Sequence, residues 1–422
     1  MWEYFGLEKN PFDIKAVEKY GIVPTSTFIG RDEHREGLKK IIQTRDHSLS
    51  LVVGEKGIGK TSLGNVVRAD ICKNFFITVS EIDSQSDWSS QDFILHALGN
   101  IYETATSISR YKSLPPKYVE ACSRIVDQLS SLFESGSSNL GLQLAGFGLE
   151  KGGGKGLSAT SISFLRLQMK KIVHIIRESG YKGLVLQFNN LDNIEDEKRL
   201  SQVLSDLRDF LVSDNIHFIF LGNKIMESCF KINSKVNECI TYDVQLGPLN
   251  YPEIIQILDK RYNTFKIPNM SPLKPISDDA LKTIYDLYEG NIRQIFFSLD
   301  HAVIHAQDEL GELRQLSDAD IQKVLVNRAK RRIGGGIQPR AFDVLEHILA
   351  KQTEVTNTEI TKKFRLKPQN TSKYLTQLRS NNLIVALGRE GRNIYYKAVN
   401  EARWLLLSPE EHRQLTLNDE LH

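Results

Sequence analysis

The sequence predicts a three-layered α/β fold with a parallel sheet, then a helical segment and a C-terminal winged helix-turn-helix. Three observations predict it. Short apolar runs alternate with helix-period stretches from Leu49 to Leu246, and strands alternating with helices are most readily joined as parallel neighbours. The first run, Leu49 to Val53, enters Gly54-Glu55-Lys56-Gly57-Ile58-Gly59-Lys60-Thr61, which satisfies G-x-x-x-x-G-K-[ST] between a strand and a helix. Towards the C-terminus, three helical patterns precede two apolar runs around Gly388–Asn393, an order of helix, helix, helix and hairpin.

The elements follow in order. Tyr4-Phe5-Gly6-Leu7…Asn10-Pro11-Phe12 is aromatic and turn-rich and leads to Phe28-Ile29-Gly30-Arg31-Asp32-Glu33. A helix on Leu38, Ile41 and Ile42 precedes the loop strand, and another begins at Lys60. Phe75 to Val79 reads as a second strand and Asp92 to Tyr102 as a helix. From Glu103 to Thr160 the pattern becomes irregular, and residues 103–160 are read as an insertion. Pro115-Pro116 opens a helix to Phe133. Eight glycines between Gly136 and Gly156 alternate with Leu140, Leu142, Leu144, Phe147 and Leu149, as in a glycine-weakened hairpin or a segment with no chemistry of its own. Helix periodicity returns at Thr160–Glu178. A buried strand, Gly183 to Phe188, runs into Asn189-Asn190-Leu191-Asp192. One helix (Leu200 to Leu211) and the strands His217–Leu221 and Thr241–Leu246 complete the sheet, giving a core over residues 1–246.

Residues 247–332 read as helical, at Pro252–Tyr262, Asp278–Tyr288, Asn291–Gln307 and Ser317–Asn327. They end in a basic, glycine-rich linker, Lys330-Arg331-Arg332 and Gly334-Gly335-Gly336. A last unit spans 333–407, with a polar tail at 408–422.

Charge separates these regions. The net charge is +2, yet residues 328–407 hold 16 Lys and Arg against 6 Asp and Glu, a net +10 that leaves 38 against 46, a net −8, elsewhere. A basic module on an acidic body suggests a polyanionic partner. No apolar run reaches the ~18 residues of a membrane span, and Met1-Trp2-Glu3-Tyr4-Phe5 lacks the basic start of a signal peptide. The cysteines Cys72, Cys122, Cys229 and Cys239 show no C-x-x-C pairing. Reduced thiols and a cytoplasmic location are expected.

The loop carries the clearest chemistry. Glycines let the backbone wrap an anion and aim N–H groups and a helix N-terminus at phosphates. Lys60 is the residue expected to reach the β- and γ-phosphates of ATP, and Thr61, beside Ser62, the hydroxyl expected on Mg²⁺.

With this loop in place, the order of elements resembles an AAA+ ATPase, and its details resemble the origin-recognition (replication-initiator) clade. Gly30-Arg31-Asp32-Glu33 resembles the clade's Gly-Arg-Glu-Glu box, which implies that Ile29 and Arg31 lie near the adenine. Pro248-Leu249…Ile254-Ile255-Gln256-Ile257-Leu258-Asp259-Lys260-Arg261 resembles the start of its helical lid. Gly290-Asn291-Ile292-Arg293 resembles its second sensor, which assigns Arg293 to the nucleotide, and Asn223 falls at the first sensor, with a strand-end cap as its plainer role. The opening Tyr-Phe-Gly-Leu…Pro-Phe also resembles ATPases of the transposition-regulator and secretion type.

Two departures bear on catalysis. The family's second nucleotide motif ends its strand in two acids, one serving Mg²⁺ and one the attacking water; here Asn189 and Asn190 stand there, and Asp192 comes two positions late. The family also places an arginine finger between the first sensor and the last strand. No arginine occurs between Asn223 and Lys260, and Lys224, Lys231 and Lys235 lack the planar fork. Both departures predict ATP bound as a switch, with hydrolysis slow or absent.

In the C-terminal unit Ala341–Leu349 predicts a first helix, Thr356-Asn357-Thr358-Glu359 caps a second, and Pro368 starts a third that runs to Ser380. Thr371, Tyr374, Leu375 and Leu378 are expected inside, leaving Gln369, Asn370, Ser372, Lys373 and Gln377 for a DNA major groove, with Arg389 and Arg392 flanking the wing. The unit resembles the MarR and ArsR regulators, and winged helices also dock proteins. The expectation is an initiator-like protein that binds ATP and double-stranded DNA. The alternatives are a signalling or defence ATPase, and a transposition regulator that self-assembles on DNA. In these the glycine-rich insertion or the winged helix contacts partners.

Overall fold

The computed structural model describes residues 1–19, 21–108, 114–133, 162–194, 197–332, 337–351, 354–391 and 393–407. The glycine-rich stretch Gly136–Gly156, the glycines of the expected linker, Arg392 and the tail lie outside the described residues. The chain divides into two compact units, residues 15–247 and residues 1–14 joined with 248–422.

The first unit is the expected three-layered α/β fold. Helix α1 (Asp32–Thr44) precedes β1 (Ser48–Gly54), the loop and α2 (Lys60–Ile71). Two short strands follow, β2 (Phe76–Ile77) and β3 (Ile82–Asp83), then α3 (Ser90–Thr106), α4 (Pro116–Phe133) and α5 (Ile162–Glu178). β4 (Leu184–Asn189), α6 (Glu197–Asp206), β5 (Ile216–Gly222), α7 (Lys224–Ile232) and β6 (Ile240–Leu246) complete it. The strands pair in the order β2-β4-β5-β1-β6, with β3 also on β4, and every pairing is parallel.

Alternation along each strand divides the interior into two cores. Leu49, Leu51 and Val53 of β1, with Leu184, Leu186 and Phe188 of β4, pack against α3, α4 and α5. Val52, Val185, Ile219 and Leu221 point the other way, onto Leu38 and Ile42 of α1 and Leu63 and Val67 of α2. A side-chain period of two makes this two-sided burial possible.

Several elements differ in extent from the sequence expectation. α3 runs on to Thr106, beyond the expected Tyr102, and α4, in the expected place after Pro115-Pro116, lays Tyr118, Ala121, Cys122, Ile125 and Leu129 into the core. The strand expected at Phe75–Val79 shrinks to two residues, since β3 takes over the pairing with β4 from Ile82. The helix expected from Leu200 to Leu211 breaks near Leu207, between α6 and a single turn at Arg208–Leu211.

The second unit has a helical part, α8 (Tyr251–Phe265), α9 (Asp278–Tyr288), α10 (Ile292–Leu310) and α11 (Asp318–Arg332). The opening residues, expected with the core, belong here. Leu7 bridges Lys266, Glu8 N–H donates to the Phe265 carbonyl at 2.7 Å, and Phe5, Leu7 and Phe12 are buried. Arg261 holds this segment, donating to the carbonyls of Pro11 (2.9 Å) and Asp13 (2.8 Å) with its guanidinium over Phe296. The expected linker residues Lys330–Arg332 are instead the last turn of α11, where Arg331 pairs with the buried Glu309 at 2.9 Å.

Beyond it, α12 (Pro339–Ala350), β7 (Val355–Thr356), α13 (Asn357–Phe364), α14 (Pro368–Ser380), β8 (Ile384–Glu390) and β9 (Asn393–Ala398) form three helices and an antiparallel sheet, β7-β9-β8. The strands continue into the expected turn, with Gly388 opposite Tyr395 and Glu390 opposite Asn393. Thr356 caps α13 through Glu359 N–H at 3.1 Å. A closing 3-10 segment, Asn400–Leu407, packs against α11. Its buried Trp404 donates to Ser298 Oγ of α10 at 2.9 Å, so these residues, expected in the winged unit, also serve the helical part.

Candidate functional site

The loop is shaped by its backbone. Gly57 and Gly59 take φ of 92° and 98°, left-handed values that a side chain would strain. Gly54 is required for space, because a Cβ there would come within 2.3 Å of Ile58 Cδ1 and 2.7 Å of the Leu246 carbonyl. Ile58 is buried beneath the loop, while Glu55 and Lys56 are exposed. Gly59 caps α2, so the orphan N–H groups of its first turn, at Lys60, Thr61 and Ser62, face the loop. Lys60 Nζ donates to the carbonyls of Gly54 (2.7 Å) and Glu55 (2.8 Å). Ser62 Oγ accepts from Val17 N–H at 3.3 Å, so its hydroxyl already has a protein partner.

Register gathers other expected residues around the loop. Gly54 stands opposite Leu246, and Arg31 donates to the carbonyl of the next residue, Gly247. Arg31 caps α1 with φ 65°, next to Gly30 at φ 76°, an uncommon left-handed pair at the start of that helix. On the other side Gly222 stands opposite Val53, and Asn223 follows it. Asn223 does cap a helix: its Oδ1 accepts from the N–H groups of Ile225 (2.9 Å) and Met226 (3.2 Å). That orientation leaves the amide Nδ2 to donate outward. Lys231 is committed to Glu227 and Asp243. Arg293 lies in the other unit, on the first turn of α10. There Gly290 is tightly fitted, since a Cβ would meet the Leu249 carbonyl at 2.1 Å.

At the end of β4, Asn189 is buried and Asn190, in the left-handed region at φ 56°, is exposed. Gln187 Nε2 donates to Asn189 Oδ1 at 3.0 Å, and Asn190 Nδ2 donates to Asp83 Oδ1 at 2.9 Å. Asp83 was missed from sequence, where nothing marks a two-residue strand. Burial, and then Glu81, push its carboxyl above the usual carboxylate value, while hydrogen bonds from Asn189 and Asn190 hold it down.

In the C-terminal unit Gln369, Asn370, Ser372 and Lys373 are exposed on α14, while Thr371, Leu375 and Leu378 are buried. Gln377 turns elsewhere, its Oε1 accepting from Gln338 N–H at 3.4 Å. Arg389 lies on β8 opposite Ile394.

No family model and no curated protein matches the sequence. Solved structures do align over nearly the whole chain. The ORC2 protein of Aeropyrum pernix, solved as ADPNP–ADP complexes, is 13% identical over 99% of this chain and 100% of that chain, with a TM-score of 0.47. The ORC1 protein of Aeropyrum pernix in complex with DNA is 12% identical over 92% and 95%, with a TM-score of 0.44. Cdc6p from Pyrobaculum aerophilum is 14% identical over 95% and 98%, also with a TM-score of 0.44. At that distance no residue role passes to this chain. Among the described residues no helix is long and apolar enough to cross a membrane, and no group of three or more His, Cys, Asp or Glu could hold a metal ion.

Proposed function

We propose that the chain binds ATP with Mg²⁺ at Gly54–Ser62 and double-stranded DNA through α14 and the β8–β9 hairpin, as an initiator-like, nucleotide-switched protein with slow or absent hydrolysis. One observation carries the nucleotide reading: two left-handed glycines and a helix N-terminus turn consecutive N–H groups into a cradle at the end of a buried strand. The Thr61 hydroxyl offers an oxygen donor there, the type Mg²⁺ prefers, and a bound Mg²⁺ supplies charge to hold the β- and γ-phosphates. The Asn223 amide and Arg31 stand at the two flanks, and Arg293 is proposed as the second sensor.

Slow hydrolysis follows from Asn189 and Asn190, since neither amide accepts a proton from water and losing a general base costs ~10²–10⁴ in rate. The DNA reading draws on the net +10 of residues 328–407 and on the exposed Gln369, Asn370, Ser372 and Lys373 of a winged helix.

Thermal unfolding with ATP and Mg²⁺ tests the core of the proposal. Ligand at ~100 times its Kd should add about 2.7 kcal/mol. Lys60→Ala should lose that stabilisation, and an equal shift in the variant would remove Lys60 from the site. Phosphate release should stay near background with or without DNA, and the double change Asn189→Asp with Asn190→Glu should raise it. Robust wild-type turnover would overturn the slow-hydrolysis reading.

A further inference from the structure

We infer that Asp83 is the carboxylate that serves Mg²⁺ at the nucleotide site, so that acid and amide have exchanged places between the neighbouring strands β3 and β4. This rests on the nucleotide reading proposed above.

Placement comes first. β3 runs parallel to β4, with Ile82 opposite Phe188 and Asp83 opposite Asn189. Ile82 and Phe188 point into the core beneath α3 to α5. Asp83 and Asn189 therefore share the opposite face, that of Val185 and of α2. Gln187, on this same face, fits so closely beneath α2 that a Cβ on Gly64 would lie 2.5 Å from its Oε1. Gly64 is one helical turn beyond Thr61. The Asp83 carboxylate is thus at the loop end of the sheet and on the loop's side of it, as an acid ending β4 would be.

The hydrogen bonds then show which group is the acceptor. Asn189 Oδ1 is taken by Gln187 Nε2, which leaves Asn189 its amide protons on the face it shares with Asp83, and Asn190 Nδ2 donates to Asp83 Oδ1 at 2.9 Å. The carboxylate is thus the acceptor and the Asn190 amide the donor. An ionised carboxylate has about four acceptor positions, so Asp83, exposed at the strand end, keeps lone pairs for the water shell that Mg²⁺ retains. The exchange supplies one acid, where the AAA+ motif it resembles supplies two. A carboxylate for the metal without a second for the attacking water fits a protein that holds ATP and turns it over slowly.

The test is equilibrium titration of the full chain with a fluorescent ATP analogue, with Mg²⁺ and with EDTA, so that affinity rather than turnover is read. Wild type should bind more tightly with Mg²⁺. Asp83→Asn, nearly isosteric and able to accept from Asn190, should keep its nucleotide-free melting temperature and its affinity in EDTA, yet lose about tenfold of the Mg²⁺ gain. Asp83→Asn combined with Asn189→Asp returns an acid to β4 and should restore that gain. An undiminished Mg²⁺ gain in Asp83→Asn, or no recovery in the double variant, overturns the assignment while leaving the nucleotide reading intact. No binding by wild type in either condition overturns both.

Discussion

The loop after β1 and the outer face of α14 present hydrogen-bond donors by opposite means. In the loop the donors are main-chain N–H groups, aimed by Gly57, Gly59 and the start of α2, and the exposed side chains of Glu55 and Lys56 do not set the geometry. On α14 the backbone is sealed in its own helix, and every outward group is a side chain carried opposite Thr371, Leu375 and Leu378. A backbone site depends on the sheet that aims it and fails as a whole. A side-chain site fails one residue at a time.

Acid should expose the first dependence most strongly. His217 of β5 is buried, its ring Nδ1 paired with Ser48 Oγ of β1 at 2.9 Å, and burial holds its pKa down to about 4. Above pH ~6.5 both folded and unfolded chains carry it neutral. As pH falls from ~6.5 towards 4 only the unfolded chain gains the proton, so stability drops by about 3 kcal/mol and then levels. Urea unfolding across this range should show the drop, and His217→Gln should remove that part of it. An identical pH profile in the variant would clear His217.

Single residues on α14 should have smaller and separable effects. Asn370→Ala should relax preference at one base pair by about 1–3 kcal/mol, the worth of a good bidentate contact. Fluorescence anisotropy of the full chain on matched and scrambled duplexes reads this directly, and an equal loss on both would make Asn370 a backbone contact. Smaller still, Arg389→Ala and Arg392→Ala should weaken all sequences alike and each flatten the salt dependence by about one unit. If the full chain shows no salt-dependent DNA binding at all, the C-terminal unit docks protein instead.

The same contrast explains what could be read from sequence. The loop was legible because its chemistry requires particular residues at fixed spacing, and the inward positions of α14 because Leu375 and Leu378 repeat at helical intervals. Asp83 was not, since its relation to Asn189 is a register between strands 106 residues apart, and local pattern carries no register. The ends of elements were hidden for related reasons. Lys330–Arg332 reads as a linker until Arg331 finds Glu309 on another helix, and residues 400–407 read as part of the C-terminal unit alone until Ser298 accepts the Trp404 N–H. Gln377 has the right period for an outward residue, but the chain entering α12 claims it.

The segment clasped by Arg261 also sets an order of events during synthesis. Asn10 donates to Asp300 at 2.9 Å across 290 residues, so residues 1–14 complete a unit whose other members are made only after residue 247. At ~5–20 residues per second they wait on the order of ten seconds or more for that partner. Residues 15–247 are continuous and need not wait. The unit of residues 15–247 can therefore fold on the ribosome while Phe5, Leu7 and Phe12 remain unburied, and a chain stalled before residue 300 would present those three side chains to chaperones.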